Sequence, residues 1–298
     1  MNVLFIEPSF PYNQREFVRA LHSIGCRVTG IGERPYDWLD GELRQWLAAY
    51  EQVRSVTDEH AVIEAVRRVQ EREWVDRLEA TVEAHILPIA RVREACTIPG
   101  LPSRAAYLCR DKVAMKEVLR RAGVPCAASA AVAGADEARQ FAGAVGFPVI
   151  VKPRAAAGAA GTHRADNWEA LEHVLRLTHV ADGADAAIEE FVEGHEGFYD
   201  TLTIDGRVAH DFVSHYYPNV LEAMRTRWIS PQIVATNRMN EPGYGELFEM
   251  GRIVIHALGI TTFLIRGFDP LEDAVAFGQE LLPATRAAIH GAVPAAAE

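Results

Sequence analysis

The chain has 298 residues, of which 49% are hydrophobic and 24% are charged, and its net charge is −11. This length is enough to bury a sizeable core and predicts two domains, or three lobes of a larger unit. The negative charge argues against a nucleic-acid-binding protein, because phosphate backbones attract positively charged surfaces.

The cysteines and the apolar segments indicate the compartment. Four cysteines, at 26, 96, 109 and 126, include no Cys-x-x-Cys pair, so reduced thiols are the simplest interpretation and a zinc site is disfavoured. The N-terminus has no basic leader, and no apolar run has the length of a membrane span. We therefore expect a cytoplasmic protein without a membrane partner.

Residues 1–105 predict an N-terminal α/β domain. Apolar runs at 3–6 and 26–31 flank a segment of helical spacing at 14–23, which is typical of a parallel βαβ unit. A dinucleotide-binding fold is rejected, because Pro8 and Pro11 follow the first strand where a Gly-x-Gly-x-x-Gly turn would be needed.

The rest of this first domain predicts one further helix and one further strand. Residues 59–72 have the apolar spacing of an amphipathic helix. Residues 83–89, with the sequence Glu-Ala-His-Ile-Leu-Pro-Ile, predict a buried strand that runs into a loop.

Residues 106–298 predict a second domain that is rich in β-strands. Asp111 is expected to cap one helix, Asn167 is expected to cap another, and residues 135–145 form a third between them. The predicted strands are 149–151, 188–192, 199–204 and 207–213, the last two joined by a turn at Asp205-Gly206.

Lys152 ends a buried strand next to a loop of small residues. In the loop from Ala155 to Gly161, the glycines Gly158 and Gly161 permit a curled backbone whose N–H groups can approach an anion. The alternative is an alanine-rich linker beside a solvated lysine. The combination of the lysine with the loop favours a phosphate-binding site.

Two other groups of residues fit a nucleotide. Lys112 lies in the first turn of its helix, where the helix dipole disfavours a cation unless an anion binds nearby; a solvated lysine is the alternative. The segment 189–192 offers backbone groups to a base and an acidic side chain to a ribose, whereas a charged strand edge that prevents aggregation is the competing interpretation.

Together these residues resemble the ATP-grasp superfamily. The matching pattern is Asp111-Lys112, Ala122-Gly-Val-Pro125, Gly146-Phe-Pro-Val-Ile-Val-Lys-Pro153, the glycine-containing loop, and Ile188-Glu-Glu-Phe-Val-Glu-Gly194 with Glu196. The resemblance implies a Rossmann-like α/β domain followed by an ATP-grasp domain of two α+β lobes. The small ATP-binding lobe would span about 124–195, and the C-terminal lobe about 196–298.

The resemblance also implies the roles of individual residues toward ATP. Lys112 and Lys152 would contact the phosphates, and Gly158 and Gly161 would lie in the loop that covers them. Backbone groups of Glu190 and Val192, on either side of Phe191, would contact adenine. Glu189 would lie beside the base, and Glu196 would hold the ribose.

The C-terminal end departs from the family pattern. Members end their catalytic lobe with two acidic residues, an asparagine and an arginine that hold Mg²⁺, but no asparagine follows Asn240 here. Glu272 and Asp273 lie on a predicted helix, where adjacent residues do not face one site. We therefore expect an incomplete C-terminal lobe and assign no metal ligand. Arg225 and Arg227 are candidates for binding a substrate carboxylate, whereas a surface loop and helix is the alternative, which we favour.

The leading hypothesis is a ligase that uses ATP and Mg²⁺ to activate a carboxylate as an acylphosphate for attack by an amine or another nucleophile. An alternative is a catalytically silent nucleotide-binding or assembly subunit that lacks the metal-binding end. A third is an enzyme like biotin carboxylase that uses bicarbonate. The expected partners are small-molecule substrates, and a homodimer is left open.

Overall fold

The computed structural model describes residues 1–154, 161–204, 207–226, 229–230 and 232–260. They form two compact units, and each is described by itself. Met1–Ala106 and Leu202–His210 belong to the first unit, and Tyr107–Thr201 with Asp211–Gly259 makes up the second. In the described part of the chain, no helix is long and apolar enough to cross a membrane.

The first unit is built on a parallel sheet of four strands in the order β3-β2-β1-β4. The strands are β1 (Asn2–Ile6), β2 (Arg27–Gly32), β3 (Ala49–Gln52) and β4 (Arg77–Glu79). The central strands β1 and β2 are continuous apolar runs that are buried on both faces, as parallel strands between helices usually are.

Helices cover both faces of this sheet. They are α1 (Gln14–Ser23), α2 (Gly41–Trp46), α3 (Glu59–Gln70) and α4 (Glu83–Ala95), and α5 (Ser103–Arg110) follows them in the chain. Side chains of β1 alternate between two cores, because successive residues of a strand point to opposite faces. Leu4 and Ile6 pack with residues of α3 and α4, whereas Val3 and Phe5 pack with residues of α1 and α2.

The prediction of a strand at 83–89 is wrong, since these residues begin α4. The buried residues of this helix are Ile89, Ala90, Val92 and Arg93, which have helical rather than alternating spacing. Pro88 lies inside the helix, where a proline cannot donate a backbone hydrogen bond. Burial of the apolar stripe against the sheet outweighs the intrinsic cost of that proline.

The second unit contains a sheet of four antiparallel strands in the order β5-β8-β6-β7. These strands are β5 (Ser129–Val132), β6 (Val149–Lys152), β7 (His163–Ala165) and β8 (Ala186–Glu190). A second sheet has the order β11-β10-β9, with β9 (Gly197–Ile204), β10 (Arg207–Tyr217) and β11 (Gln232–Ala235). The other helices are α6 (Lys112–Arg121), α7 (Ala135–Val145), α8 (Trp168–Leu177), α9 (Val220–Thr226) and α10 (Gly245–Leu258).

The predicted helix starts in this unit are confirmed. The Asp111 side chain accepts hydrogen bonds from the N–H groups of Val113 and Ala114, and the Asn167 side chain accepts one from Ala170. The predicted turn at Asp205-Gly206 and the C-terminal segment that carries Glu272 and Asp273 lie outside the described residues. The expectation of an incomplete C-terminal lobe therefore stays a prediction.

Candidate functional site

Lys152 and Glu189 face each other across two neighbouring strands. The register places Ile150 of β6 opposite Glu189 of β8, and period-2 alternation puts Lys152 on the same face of the sheet. The Lys152 ammonium donates a hydrogen bond of 2.7 Å to Glu189 Oε2. The pairing of these strands therefore brings together two residues that the sequence predicted for one nucleotide-binding site.

A second lysine, which the sequence reasoning missed, reaches the same carboxylate from helix α6. Lys116 Nζ lies 2.9 Å from Glu189 Oε1, in an ion pair that lacks the alignment of a hydrogen bond. Lys116 stands one helical turn after Lys112, and residues four apart share a face of a helix. That spacing is the local signal that could have identified it.

Glu189 is buried, with only 8% of its side chain exposed, and it is ionised. Burial by itself acts to raise the pKa of this carboxyl group. The ammonium groups of Lys116 and Lys152 outweigh that effect, so the pKa of Glu189 lies below its ordinary value. Lys116, Lys152 and Glu189 therefore form a group of one carboxylate between two ammonium groups, and this group has one net positive charge.

Lys112 is placed at the start of α6, where Asp111 caps the helix. Asp111 uses Oδ1 for the cap and accepts a hydrogen bond of 2.7 Å from Arg154 at Oδ2. Because Arg154 follows the strand that ends at Lys152, this pair attaches the first turn of α6 to the end of β6. The three lysines of the site thus lie on two elements that side-chain contacts hold together.

Gly161 has the backbone geometry expected for the small-residue loop. Its φ of +67° lies in the left-handed region, and an added Cβ would be 3.1 Å from Pro153 Cγ. Both observations favour glycine at this position. Gly158, the other predicted loop glycine, lies outside the described residues, as does the segment 155–160.

The segment proposed for adenine leaves β8 with part of its backbone already engaged. The N–H of Glu190 donates to Ala128 O at 3.0 Å, and the N–H of Phe191 donates to Pro148 O at 3.1 Å. The Phe191 ring lies under the guanidinium of Arg164 at 4.2 Å. Val192 is 66% exposed. The N–H groups of Glu190 and Phe191 therefore already have acceptors within the protein.

Glu196 lies at the start of the second sheet, next to helix α9. Its Oε2 accepts a hydrogen bond of 2.7 Å from the N–H of Val220, the first residue of that helix. Its backbone N–H donates to Asn219 Oδ1 at 3.0 Å. Glu196 thus has a structural role at this helix start.

The arginines proposed for a substrate carboxylate are not placed by the structure. Arg225 lies in α9 but its side chain is outside the described part, and Arg227 is wholly outside it. Among the described residues, no three histidine, cysteine, aspartate or glutamate side chains are grouped so that they could hold a metal ion. The structure therefore assigns no ligand to Mg²⁺.

Comparisons with known sequences cover the site region. Residues 111–196 match the family model for the carbamoyl-phosphate synthase L chain, ATP binding domain. An L-arginine-specific L-amino acid ligase from Bacillus subtilis is 29% identical over 191 residues, which cover 62% of this chain and 45% of the relative. A D-alanine–D-alanine ligase from Alcanivorax borkumensis is 30% identical over 181 residues, which cover 60% and 54%. The alignments thus span about half the length of these relatives.

Solved structures of similar architecture cover most of the chain. An L-amino acid ligase from Bacillus licheniformis superposes with a TM-score of 0.66 at 19% identity and covers 88% of this chain and 61% of that one. A biotin carboxylase from Campylobacter jejuni, solved as a β-γ-ATP complex, superposes with a TM-score of 0.64 at 18% identity and covers 99% and 72%. At these identities the likeness concerns the mixed α/β fold.

Proposed function

We propose that this ATP-grasp protein is an ATP-dependent ligase that joins a carboxylate to an amine. The observation that carries the proposal is the convergence of Lys116 and Lys152 on one carboxylate, one turn of helix from Lys112. Cations from a helix and from a strand end give the positive potential that a polyphosphate requires.

ATP would lie along the end of β8 and the strand end at Lys152. In this arrangement Lys112 and Lys152 bind phosphate oxygens, and Gly161 lets the backbone of its loop approach them. The carbonyl of Glu190 and the backbone N–H of Val192 bind adenine. Glu196 keeps its bond to Val220 through Oε2 and binds the ribose through Oε1.

The reaction class follows from the two ligases to which the chain is similar. A carboxylate oxygen of the first substrate attacks the terminal phosphorus of ATP, and the bond from that phosphorus to ADP breaks. The amine nitrogen of the second substrate then attacks the acyl carbon, and phosphate leaves as the amide forms and the amine loses a proton. Amino acids are the substrates that the names of these relatives suggest.

Mg²⁺ belongs to the proposal as the cation that neutralises phosphoryl charge when it is bound. No residue of this chain is assigned to it: no asparagine follows Asn240, and everything beyond residue 260 is outside the described part. The Rossmann-like N-terminal domain, the division into lobes at about residue 195, the homodimer and the cytoplasmic location stay predictions.

The test is ATP-dependent phosphate release with pairs of amino acids, measured for the protein and for Lys152→Ala. We expect the variant to lose roughly 100-fold or more in kcat/KM for ATP, because a charge contact to the transferring phosphoryl group is removed. Arg121→Ala is the matched control, since Arg121 is 74% exposed on α6 and pairs with Glu117. Equal turnover in Lys152→Ala contradicts the phosphate contact.

Calorimetric titration with ATP separates the ligase from a silent nucleotide-binding subunit. A ligase is expected to bind ATP more tightly with Mg²⁺ than without it and to release phosphate once both substrates are present. ATP binding that is indifferent to Mg²⁺, together with no phosphate release for any substrate pair, overturns the ligase proposal.

A further inference from the structure

Arginine greatly outnumbers lysine in this chain. Of 30 lysines and arginines, 27 are arginine, and the three lysines are Lys112, Lys116 and Lys152. All three belong to the candidate site, two on helix α6 and one at the end of β6. A lysine ammonium is a compact charge with three donors, whereas the guanidinium is a planar fork. The distribution singles out Lys116 together with the two nominated lysines.

The contacts of Glu189 show why Lys152 alone would not provide a net positive charge for a phosphate. Glu189 has its Oε2 at 2.7 Å from Lys152 and its Oε1 at 2.9 Å from Lys116. Without Lys116, Lys152 and Glu189 would form a neutral pair, and an incoming phosphate would meet the carboxylate charge as well as the ammonium. With Lys116 present, the group of three retains one positive charge.

Burial makes this charge balance effective. The side chains of Lys116, Lys152 and Glu189 are 15%, 18% and 8% exposed. Charges with so little contact with water are screened weakly, so a single added or removed charge changes the potential at the phosphate position strongly. An exposed ion pair on the same helix would change the potential at the phosphate position little, because water screens its charges.

We propose that Lys116 is a positioning residue of the nucleotide site: it neutralises Glu189, so that Lys152 keeps its charge and two of its donors for the phosphates. The inference rests on the proposed function, because it assumes that polyphosphate binds at Lys152. It assigns to Lys116 no contact with the nucleotide. Lys116 acts by holding the carboxylate that would otherwise compete for Lys152.

The experiment is calorimetric titration with inorganic tripolyphosphate, which probes the phosphate site without any contribution from adenine. We expect Lys116→Met to weaken tripolyphosphate binding by roughly tenfold or more, which corresponds to at least about 1.4 kcal/mol. The double variant K116M/E189Q should recover most of that loss, because Lys152 is then free of its competing carboxylate. Lys116→Arg retains the charge on which the inference rests and should bind within roughly threefold of the parent.

Arg121→Met is the matched control, because it removes one positive charge from an exposed position of the same helix. It should leave tripolyphosphate binding unchanged. Equal losses in Arg121→Met and Lys116→Met would indicate a general charge effect and overturn the inference. Failure of K116M/E189Q to recover affinity would also overturn it, since a purely structural role of Lys116 predicts no recovery.

The outcomes distinguish this inference from the proposed function. If the parent protein binds neither ATP nor tripolyphosphate, the proposed function fails first. If the parent binds both and Lys116→Met binds equally well, the inference alone fails. Should Lys116→Met not fold, the comparison of K116M/E189Q with the parent decides: both retain one net positive charge in this group, so the inference expects affinities for tripolyphosphate within roughly threefold, and a tenfold loss in the double variant contradicts it.

Discussion

Glu189 is the most constrained charged residue of the candidate site. It is buried on β8, and two ammonium groups from different elements lie within ion-pair distance of its two oxygens. Buried ion pairs add little net stability compared with apolar residues, but removal of one partner leaves an uncompensated charge. The contribution of these ion pairs to the free energy of unfolding therefore depends on whether the Glu189 carboxyl group is ionised.

The pH dependence of stability should report that ionisation. Because the pKa of Glu189 in the folded protein is lowered, its contribution is present above the pKa of the unfolded chain and is lost as pH falls through the folded value. We expect Glu189→Gln to reduce the unfolding free energy at pH 7 by about 1–3 kcal/mol. The difference from the parent should shrink below about pH 4.5.

Urea unfolding at several pH values measures this difference, and the comparison of the two proteins cancels the other carboxylates. Glu94 and Glu172, whose pKa values are also lowered, are present in both proteins. A difference that stays constant from neutral to acid pH would contradict the assigned pKa direction.

At the scale of elements, α10 approaches strand β9 so closely that only glycine fits at one position. A Cβ added to Gly251 would lie 2.1 Å from Tyr199 Cε1. The ring cannot easily move aside, because the Tyr199 hydroxyl donates to Asp211 Oδ2 at 2.6 Å. Burial and the Asp211 carboxylate raise the pKa of Tyr199, so the hydroxyl remains the donor.

We expect Gly251→Ala to lower the unfolding free energy by about 1–3 kcal/mol, through overpacking of the helix against the ring. Gly245→Ala on the same helix is the control, because nothing lies within 4 Å of its added Cβ. It should be neutral or stabilising by up to about 1 kcal/mol. Equal melting temperatures for the two variants would show that α10 can shift away from β9.

Helices and caps were predictable where the sequence pattern that specifies them lies within a few neighbouring residues. The helix at 135–145 and the cap at Asp111 follow from residues within a few positions of each other, and the structure confirms both. Residues 83–89 were mispredicted, because an internal proline is a local stop signal, whereas the burial of α4 depends on a distant sheet. Tertiary packing decides such segments.

At the scale of the whole molecule, the scarcity of lysine provides a test that needs no substitution. An amine-reactive acetylating reagent can modify the α-amino group and three lysines. All three lysines belong to the candidate site, whereas the α-amino group does not. Saturation with ATP should slow acetylation of Lys152 by roughly tenfold when ATP is tenfold above its Kd, because only the unbound fraction reacts. Mass spectrometry of the peptides measures the rates.

The α-amino group is the internal control of this labelling experiment, and its rate should not change when ATP is added. Lys112 should be protected together with Lys152, since both are assigned to phosphate oxygens. Unchanged rates at all three lysines, in a protein that binds ATP by calorimetry, would contradict the location of the phosphates.

The sequence by itself indicated the resemblance to the ATP-grasp superfamily, the helix caps at Asp111 and Asn167, and the strands that carry Lys152 and Glu189. These features depend on neighbours in the chain, so residue types and spacing are enough to predict them. Only the tertiary structure placed Lys116 against Glu189, because that contact requires α6 to pack beside the paired strands β6 and β8. It also showed that the N–H groups of Glu190 and Phe191 are already bonded. Contacts between residues far apart in the chain depend on packing, which no local pattern specifies.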